Sequence, residues 1–535
     1  MPTLDWIGKQ AVVNHDKDVP FRLLKRDTKL SLGDSENLLI KGDNLEALKA
    51  LMPYYVGKVK CIYIDPPYNT GTENWVYNDA VNSPEMRSWL GRVVGREDDD
   101  LSRHDKWLCM MYPRLKLLWD LLADDGVIFI SIDYNEQHHL ICMMNEIFKG
   151  CFKDSVVIRR GAKNVQAQFE SIDSLNNGYE SVVVYSKSRD FRFQKLYMEL
   201  EEEKPGAWNN HWRGSDRPTM RYKLFGITPP EGQWRWGEAR SKKAIQNYEK
   251  LLSDLNKQGK AVTQESIDAW YLARIEETNT EEIDLLRLSE NKKPEHYIQP
   301  TSSKLLSNLW TDLKPNGSSQ LKQVFGRKVF DTPKSVDLIK RIVKWMTKDD
   351  KEAVILDSFA GSGATGHAVL EVNREDKGKR RFILVEMEDD IAKNITAERL
   401  KKVIGGYESD EGEEKGLGGG FQFMRLDTTL FDKDGKLSEP VTYLDLARYI
   451  FFTEARKDLN EKNLKQPHIG TNGDLDYFLF FAERGKNTFT REHLRKLPKL
   501  DGQRVVYADR CLLSDVLLRK ERITFKQIPY QVKVY

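Results

Sequence analysis

The sequence predicts an α/β protein built on a doubly wound, mostly parallel sheet, and three observations support this fold class. Short apolar strands alternate with helical, apolar-periodic stretches over residues 34–190 and again after residue 325. Acidic residues follow directly after several of these strands, and one strand runs into a glycine-rich turn that opens a helix. Because ligands of open α/β sheets bind outside the carboxyl ends of the strands, the same pattern indicates where a site would lie.

Size and composition set the class of protein. A chain of 535 residues has room for two to four domains. It contains no run of 18 apolar residues, and its amino terminus lacks a signal pattern, so we expect a soluble, cytoplasmic protein without a membrane contact. The five cysteines form no CxxC pair, so neither a metal site nor a disulfide framework is predicted. The net charge of +2 requires any nucleic-acid-binding surface to be local.

The first strand of the pattern follows a polar lead-in of residues 1–33. The segment Leu38–Ile40 reads as this strand, and a turn then leads into an amphipathic helix for which Asn44 is a plausible N-cap. Asp43 lies at the carboxyl end of the strand. Two interpretations stay open: Asp43 contacts the adenine edge of a cofactor, or it caps the helix.

The stretch CIYIDPPYNTG follows the next strand and holds the first group of candidate site residues. Val59–Tyr63 is apolar and β-branched or aromatic, which predicts a buried parallel strand that ends just before Asp65. Pro66 and Pro67 then force a stiff extended turn. Asp65 and the Pro66 carbonyl can accept hydrogen bonds from an exocyclic amine while Tyr68 stacks on a flat ring. The alternative is a strand that ends in a proline-rich turn with an incidental tyrosine.

The next segments continue the alternation. A helix is predicted over WLCMMYPRLKLLWDLL, followed by a strand that ends at Asp133 and a second helix over NEQHHLICMMNEIF. His138 and His139 lack the spacing of a metal-binding pair, so we interpret them as structural or surface residues. A further strand is predicted within Asn176–Lys187.

Residues 190–325 interrupt the alternation with a basic, aromatic insert. The segment from Lys204 to Lys243 contains nine basic and three acidic residues, and tryptophans are interleaved with them. Basic side chains neutralise phosphates and planar ones stack on bases, so the insert is predicted to bind DNA. The predicted contacts are Arg213, Arg217, Arg221, Lys223, Arg235, Trp212 and Trp234. A surface insert with a few buried tryptophans is the alternative, and the charged helical stretch Ala244–Glu290 is predicted to form an arm or a dimer element.

The second group of candidate residues lies in EAVILDSFAGSGATGHAVLE. Thr332 and Pro333, upstream, read as a helix N-cap followed by proline at the first helical position. After the strand Ala353–Leu356, glycines allow a close approach of the backbone to a ligand, and the absence of Lys-Ser/Thr excludes a Walker loop. Glu386 follows the next strand at a spacing typical of a ribose-binding carboxylate.

These two stretches resemble the amino-methylating DNA methyltransferases. DPPYNTG is the form common in their adenine-N6 branch, and strand, FAGSG, helix, strand and acid resemble their S-adenosylmethionine-binding half. The resemblance implies catalytic roles for Asp65, Pro66, Pro67 and Tyr68, and DNA contacts at Asn69 and Thr70. The cofactor contacts that it implies are Asp357, Phe359, Ala360, Gly361, Ser362, Gly363 and Glu386, together with Asp43.

The order of the two motifs, with DPPY before FAGSG, resembles the circularly permuted beta group of the amino-methyltransferases. The DPPYNTG and FDTPK stretches are most similar to the modification subunits of type III restriction systems and their stand-alone relatives. This implies a Rossmann-like fold with an inserted target-recognition region, a homodimer on double-stranded DNA, and a restriction helicase-nuclease partner. The predicted regions are a lead-in (1–33), a catalytic half (34–190), a recognition region with a helical arm (191–325), a cofactor-binding half (326–407) and a C-terminal accessory region (408–535), with a flexible acidic loop at Gly405–Gly420.

The activity that the resemblance implies is methyl transfer from S-adenosylmethionine to N6 of an adenine flipped out of duplex DNA. Asp in the first motif position favours adenine in this family, but cytosine N4 presents a similar amine. The motifs are also compatible with a recognition subunit that acts mainly through a restriction partner, and with an RNA or small-amine methyltransferase. The sequence contains no GxxxxGK[ST] loop, so no helicase motif is apparent in this chain.

Overall fold

A computed structural model describes residues 3–69, 84–95, 102–161, 175, 177–215, 217–409, 412–432, 437–457, 459–461, 464–482, 486–498 and 502–528. The chain divides into two compact units. The larger unit takes in residues 1–193 and 308–535, and the smaller one consists of residues 194–307.

A ten-stranded sheet organises the larger unit. Its strands, in chain order, are β1 (Arg22–Leu32), β2 (Leu38–Lys41), β3 (Val59–Ile64), β4 (Leu122–Ile132), β5 (Phe152–Arg159), β6 (Tyr179–Ser186), β7 (Leu309–Trp310), β8 (Val354–Asp357), β9 (Arg381–Glu386) and β10 (Phe421–Thr429). Across the sheet the order is β1-β10-β2-β9-β8-β3-β4-β6-β5-β7. The six consecutive strands from β10 to β4 run parallel to one another. β1 pairs antiparallel with β10, and β6 pairs antiparallel with β4. The mostly parallel sheet is therefore confirmed.

Two strands that are far apart in sequence lie side by side at the centre of this sheet. β3 pairs in parallel with β8, with Ile62 opposite Leu356. Nearly every residue of both strands is buried, as expected where helices cover both faces of a parallel sheet. The longer helices of this unit are α1 (Asn44–Tyr55), α2 (Pro84–Val93), α3 (Arg103–Leu121), α4 (Gln137–Ile147), α5 (Gly317–Phe325), α6 (Val336–Met346), α7 (Ala364–Asp376), α8 (Ala397–Gly405) and α9 (Tyr443–Ala455).

Two strands of the large sheet come from regions that the sequence analysis placed outside the two halves of the methyltransferase core. β1 belongs to the predicted lead-in, and β10, from the predicted accessory region, pairs with both β1 and β2. In the predicted flexible loop, the strands Gly406–Ser409 and Gly412–Lys415 pair antiparallel. β1 mixes half-buried and exposed positions without a clear two-residue period, which explains why it was missed.

The rest of the C-terminal part forms a second, smaller sheet. Its four strands, in spatial order, are His468–Asn472, Leu475–Leu479, Gln503–Ala508 and Ile523–Gln527. Helix α9 shares an apolar core with this sheet, which confirms the helix and two of the strands expected from sequence. Within the described residues, no helix has the length and apolar character needed to cross a membrane.

Among its described residues, the smaller unit holds two α-helices, Glu238–Lys257 and Gln264–Thr278, so the helical stretch predicted to reach Glu290 ends earlier. Its entry and exit strands pair antiparallel: Tyr197–Lys204 lies beside Thr301–Leu305, with Tyr197 opposite Leu305. Its other strands are Ala207–Asn210, Trp212–Arg213, Gln233–Trp234, Leu286–Leu288 and Pro294–Ile298.

Candidate active site

The carboxyl ends of the parallel strands bring the candidate residues together at one edge of the sheet. Asp65 follows β3, Asp357 is the last residue of β8, and Glu386 is the last residue of β9. Because β9, β8 and β3 are consecutive neighbours in the sheet, these three acids come from adjacent strand ends. This is the edge at which the fold class predicts a ligand.

The DPPY turn is held in place from both sides. The indole Nε1 of Trp107 donates a hydrogen bond to the Pro67 carbonyl at 2.7 Å. Asn69 adopts a left-handed conformation with φ 57°, and its amide donates to the Arg103 carbonyl at 3.1 Å and to the carboxylate of Glu136. The left-handed region is one that Asn tolerates better than most residues. These bonds fix the turn that carries Asp65 and Tyr68.

A lysine that the sequence did not single out lies at the centre of the site. The Lys334 ammonium is 3.3 Å from Asp65 Oδ1 and 2.8 Å from Glu180 Oε2. It also donates to the Tyr68 hydroxyl and lies 4.6 Å from the centre of the Tyr68 ring. The Tyr68 hydroxyl in turn donates to Glu180 Oε2 at 3.1 Å. Asp65, Tyr68, Glu180 and Lys334 therefore form one connected polar cluster.

The segment before α6 carries Lys334 into this cluster. α6 begins at Val336 with Ser335 as its N-cap residue, so the prediction of a helix start at Thr332 and Pro333 was wrong. Residues 331–335 lie outside regular helix and strand, and they line the cavity described below.

Burial and neighbouring charge set the ionisation of Asp65. Burial raises the pKa of Asp65 to about 6, and the Lys334 ammonium limits the rise. The carboxylate is therefore mostly ionised at neutral pH. Its Oδ1 is buried and forms an ion pair with the Lys334 ammonium at 3.3 Å. A carboxylate oxygen has more than one lone pair, so Oδ1 can accept a hydrogen bond from a ligand beside this ion pair.

The glycine-rich turn after β8 is organised by Asp357. One carboxylate oxygen of Asp357 accepts from the Phe359 N–H at 3.0 Å, and the other accepts from the Thr365 hydroxyl at 2.5 Å. Burial raises the pKa of Asp357 to about 7. Gly363 has φ 78°, and a Cβ there would come within 3.0 Å of Thr396 Cγ2, so both conformation and space favour glycine.

Glu386 closes the same turn from the neighbouring strand. Its two oxygens accept from the N–H groups of Gly361 at 2.8 Å and Glu388 at 2.9 Å. Burial raises the pKa of Glu386 to about 7, with the nearby carboxyl of Asp357 contributing. Gly361 has φ 48°, and a Cβ there would lie 3.2 Å from Phe330 Cζ, so both the backbone conformation and the packing of Phe330 favour glycine.

A cavity of about 330 Å³ joins the two groups of predicted residues. It is lined by 65–68 of the first stretch, by 359–362 and Asp357 of the second, and by Glu180 and Lys334. Gly363, Glu386 and Asp43 are not among its lining residues. The sequence therefore predicted both walls of the cavity, but not the Lys334–Glu180 pair between them.

Asp43 is the N-cap residue of α1, so the prediction of Asn44 as the cap was wrong. Its Oδ1 accepts from the N–H groups of Leu45 and Glu46 at 2.9 and 3.0 Å, and its Oδ2 accepts from the buried Arg114 at 3.1 Å. Arg114 also donates to Asn44, which bonds the Ser358 carbonyl at 3.3 Å. Of the two interpretations, this geometry favours capping; a cofactor contact of Asp43 stays a prediction.

Two of the predicted DNA contacts, Asn69 and Trp234, are buried in this structure. Asn69 is 1% exposed and anchors the DPPY turn, and Trp234 is 2% exposed with its Nε1 bonded to the Tyr222 carbonyl at 2.8 Å. Both side chains are buried and bonded within the fold, and their contact with DNA stays a prediction. Trp234 belongs to a small apolar core of the 194–307 unit. Thr70 lies outside the described residues.

The remaining predicted contacts are on the surface of the 194–307 unit. Arg213, Arg217 and Lys223 are exposed, and Trp212 is 39% exposed with its Nε1 bonded to the Glu231 carbonyl. Arg221 is half-buried and donates to the Gly232 carbonyl at 2.8 Å. For the half-buried Arg235, burial lowers the pKa, and the nearby Arg213 lowers it further. Arg213 and Arg235 therefore form a local concentration of positive charge.

Comparison with known proteins decides the family. The sequence profile described as "DNA methylase" matches residues 59–398, a span that includes both the DPPY and the FAGSG stretch. The chain belongs to this family. The resemblance to the DNA amino-methyltransferases, and to type III modification subunits in particular, is thereby confirmed.

Individual relatives agree with this assignment. The chain is 31% identical to the Mod subunit of the StyLTI type III restriction-modification enzyme of Salmonella typhimurium, over 89% of this chain and 70% of that protein. It is also 31% identical to the EcoPI Mod subunit of Escherichia phage P1, over 74% of this chain and 65% of that subunit. The chain thus spans about two thirds of the length of these relatives. The solved PvuII DNA methyltransferase (cytosine-N4-specific) aligns with 68% of this chain and 86% of its own at 12% identity and a TM-score of 0.35.

Proposed function

We propose that this DNA methyltransferase transfers a methyl group from S-adenosylmethionine to N6 of an adenine in duplex DNA. One observation carries the proposal. The Asp65 carboxylate, whose Oδ1 is buried beside the Lys334 ammonium, lines the same cavity as Tyr68 and the glycine-rich turn. A carboxylate acceptor, an aromatic face and a cofactor turn around one cavity are what transfer to an aromatic amine requires.

The residues of the second stretch fit S-adenosylmethionine. The turn at 359–362 exposes backbone to the cavity, and the acids Asp357 and Glu386 offer carboxylates at neighbouring strand ends. We assign Phe359, Ala360, Gly361, Ser362 and Gly363 to the turn that would hold the cofactor, with Glu386 for the ribose hydroxyls. When bound, this cofactor supplies an electrophilic methyl group on a sulfonium sulfur.

The chain's own side chains orient the acceptor amine. Inside a duplex the adenine amine is unreachable, so the base must leave the stack, and Tyr68 then offers a ring on which to stack it. Asp65 Oδ1 accepts a hydrogen of the amine, which directs the nitrogen lone pair toward the cofactor turn. Positioning of this kind can account for several kcal/mol of barrier lowering. Lys334 keeps Asp65 ionised and therefore acts as a positioning residue.

The preference for adenine rests on the resemblance and not on the geometry of the cavity. The DPPY form with Asp65 is the one common in adenine-N6 enzymes, and the relatives are type III modification subunits. Cytosine N4 is the second candidate, because its exocyclic amine presents the same hydrogens to the Asp65 oxygen.

We also infer partners from the same relatives. Two of them carry the name of a subunit of a restriction-modification enzyme, which supports a restriction helicase-nuclease partner for this chain. A homodimer on double-stranded DNA and a cytoplasmic location complete the proposal. The exposed Arg213, Arg217 and Lys223 are the side chains of the 194–307 unit that we assign to the DNA backbone.

The test is expression in a bacterial host that lacks its own DNA methylation, followed by genome sequencing that reports modified bases directly. Asp65→Ala is compared with wild type and with Asp124→Ala, which removes an exposed carboxylate away from the cavity. We expect N6-methyladenine at one short sequence with wild type and Asp124→Ala and none with Asp65→Ala. N4-methylcytosine would overturn the base assignment. A soluble wild-type protein that binds S-adenosylmethionine yet modifies no DNA would overturn independent DNA methylation.

A further inference from the structure

Two histidines and a glutamate meet beside the DPPY turn. Nδ1 of His104 lies 2.7 Å from Glu136 Oε1, and Nδ1 of His139 lies 2.7 Å from Glu136 Oε2. One ligand atom from each of the three residues falls within 4.8 Å of the others. Among the residues that the structure describes, no other group of three His, Cys, Asp or Glu meets this criterion.

Helix geometry presents the three side chains to one point. His104 is the second residue of α3, Glu136 is the N-cap residue of α4, and His139 is the third residue of α4. Residues three apart lie on the same face of a helix, so the Glu136 carboxylate and the His139 ring are neighbours. The rings of His104 and His139 are 5.0 Å apart.

The Glu136 carboxylate is buried, while both imidazoles reach solvent. The Glu136 side chain is 0% exposed, whereas those of His104 and His139 are 40% and 22% exposed. A cation can therefore enter past the rings to a fixed carboxylate. The Asn69 amide, which donates to Glu136 Oε1, orients that carboxylate as outer-shell partners of metal ligands do.

We propose that His104, Glu136 and His139 bind a Zn²⁺ ion. Two imidazoles and one carboxylate are a ligand set that zinc uses in open sites, where water occupies the remaining position. Each neutral imidazole binds through Nδ1 and carries its proton on Nε2. The two hydrogen bonds to Glu136 are thereby replaced by metal–ligand bonds, and no oxidant or further reactant is required.

The site extends to the catalytic turn through a single residue. Asn69 follows Tyr68 directly, and its amide bonds both Glu136 and the Arg103 carbonyl, next to His104. An ion held by Glu136 would therefore restrain the carboxyl end of the DPPY turn. The sequence could not indicate the site, because His104 and Glu136 are 32 residues apart and only His139 has a neighbouring histidine.

The test uses the full chain, stripped of metal by a chelator and titrated with Co²⁺ as a spectroscopic probe and with Zn²⁺ by calorimetry. We expect one equivalent of each ion and visible absorption of four-coordinate Co²⁺. His104→Gln and His139→Gln keep an N–H donor for Glu136 but are poor ligands, so each should weaken binding at least tenfold. His138→Ala removes an exposed ring that lies 4.0 Å from that of His139 but supplies no proposed ligand, so this variant should still bind one equivalent of each ion.

Asn69→Ala should weaken binding by about 10- to 100-fold, as loss of an outer-shell partner does. Two results would overturn the site: a folded wild-type chain that takes up no stoichiometric Co²⁺ or Zn²⁺, or uptake that both Gln variants leave unchanged. Circular dichroism and the melting temperature of each variant separate loss of ligands from loss of fold. Because metal uptake is read directly, either result is independent of whether the chain methylates DNA.

Discussion

The ammonium of Lys334 is the feature of the site whose removal gives the sharpest test. Burial lowers the pKa of Lys334, but the carboxylates of Asp65 and Glu180 raise it by more, so the ammonium is charged at every working pH. Lys334→Met keeps the length of the side chain and removes the charge. Asp65 and Glu180 then share the cavity without the cation that lies 3.3 Å and 2.8 Å from them.

The expected effect follows from the pKa of Asp65. With a pKa of about 6, Asp65 is about 97% ionised at pH 7.5. An opposite charge within a few ångströms lowers the pKa of a carboxyl by about 1–3 units, so the loss of Lys334 should raise it by a similar amount. A rise of about 2 units leaves about a quarter of Asp65 ionised at pH 7.5 and about nine tenths at pH 9.

The assay is transfer of a tritiated methyl group to DNA, measured as kcat/KM between pH 5.5 and 9.5. For wild type the acid limb should lie near pH 6 because Asp65 must be ionised. For Lys334→Met we expect a loss of about fourfold at pH 7.5 that is largely recovered at pH 9. Lys340→Met is the matched control, since Lys340 also pairs with two carboxylates, Glu371 and Glu375, but does not line the cavity.

A uniform loss of activity at all pH values, with the acid limb unmoved, would refute an electrostatic role of Lys334. Such a result would instead assign Lys334 to contact with the base or the cofactor. Binding of S-adenosylmethionine and the melting temperature, measured alongside, identify a variant that has merely lost its fold.

Three further predictions concern Tyr68, which lines the cavity, and Glu386, which bonds the glycine-rich turn. Tyr68→Ala should weaken the complex with DNA whose target base is unpaired by about 1–3 kcal/mol, read by titration with a fluorescent duplex, and unchanged affinity would contradict stacking on Tyr68. Glu386→Gln leaves one of two backbone N–H groups, that of Gly361 or that of Glu388, without an acceptor. We therefore expect S-adenosylmethionine to bind about tenfold more weakly, measured by calorimetry. Wild-type affinity in this variant would remove Glu386 from the cofactor site. The pKa of Glu386 is about 7 in the folded chain, against an ordinary value of 4.5. Between these two pH values the folded chain retains a proton that the unfolded chain loses, so the free energy of unfolding should fall as the pH rises from about 4.5 to 7. Cofactor-free Glu386→Gln should show a shallower fall in melting temperature over that window, and an identical slope would contradict the shift.

Local patterns predicted the strands and the two walls of the cavity. β3 and β8 are short, apolar and buried on both faces, and each leads into a turn that prolines or glycines mark in the sequence. Such signals lie within a dozen residues, so the sequence displays them directly. Asp65, Tyr68 and Phe359 could be placed in this way, and the resemblance then assigned their roles.

Features that depend on distant contacts could not be predicted. Lys334 bonds Tyr68 across 266 residues, and Glu180 lies 112 residues from Tyr68. The tryptophans between arginines in the sequence predicted side chains that stack on bases. Trp234 is instead buried, and its Nε1 donates to a carbonyl that comes close only in the folded unit. The choice between cap and cofactor ligand for Asp43 likewise depended on Arg114, 71 residues away.

The paired entry and exit strands of the 194–307 unit have a consequence for how such enzymes diversify. Since Tyr197 lies opposite Leu305, the unit leaves and rejoins the chain at neighbouring points, whatever its internal length. A segment bounded in this way can be exchanged for another by recombination at two sites, without a change in the strands that carry Asp65 or Asp357. With the DNA-binding role that we propose for this unit, exchange of the whole module would change the target sequence, while the residues of the cavity are inherited intact.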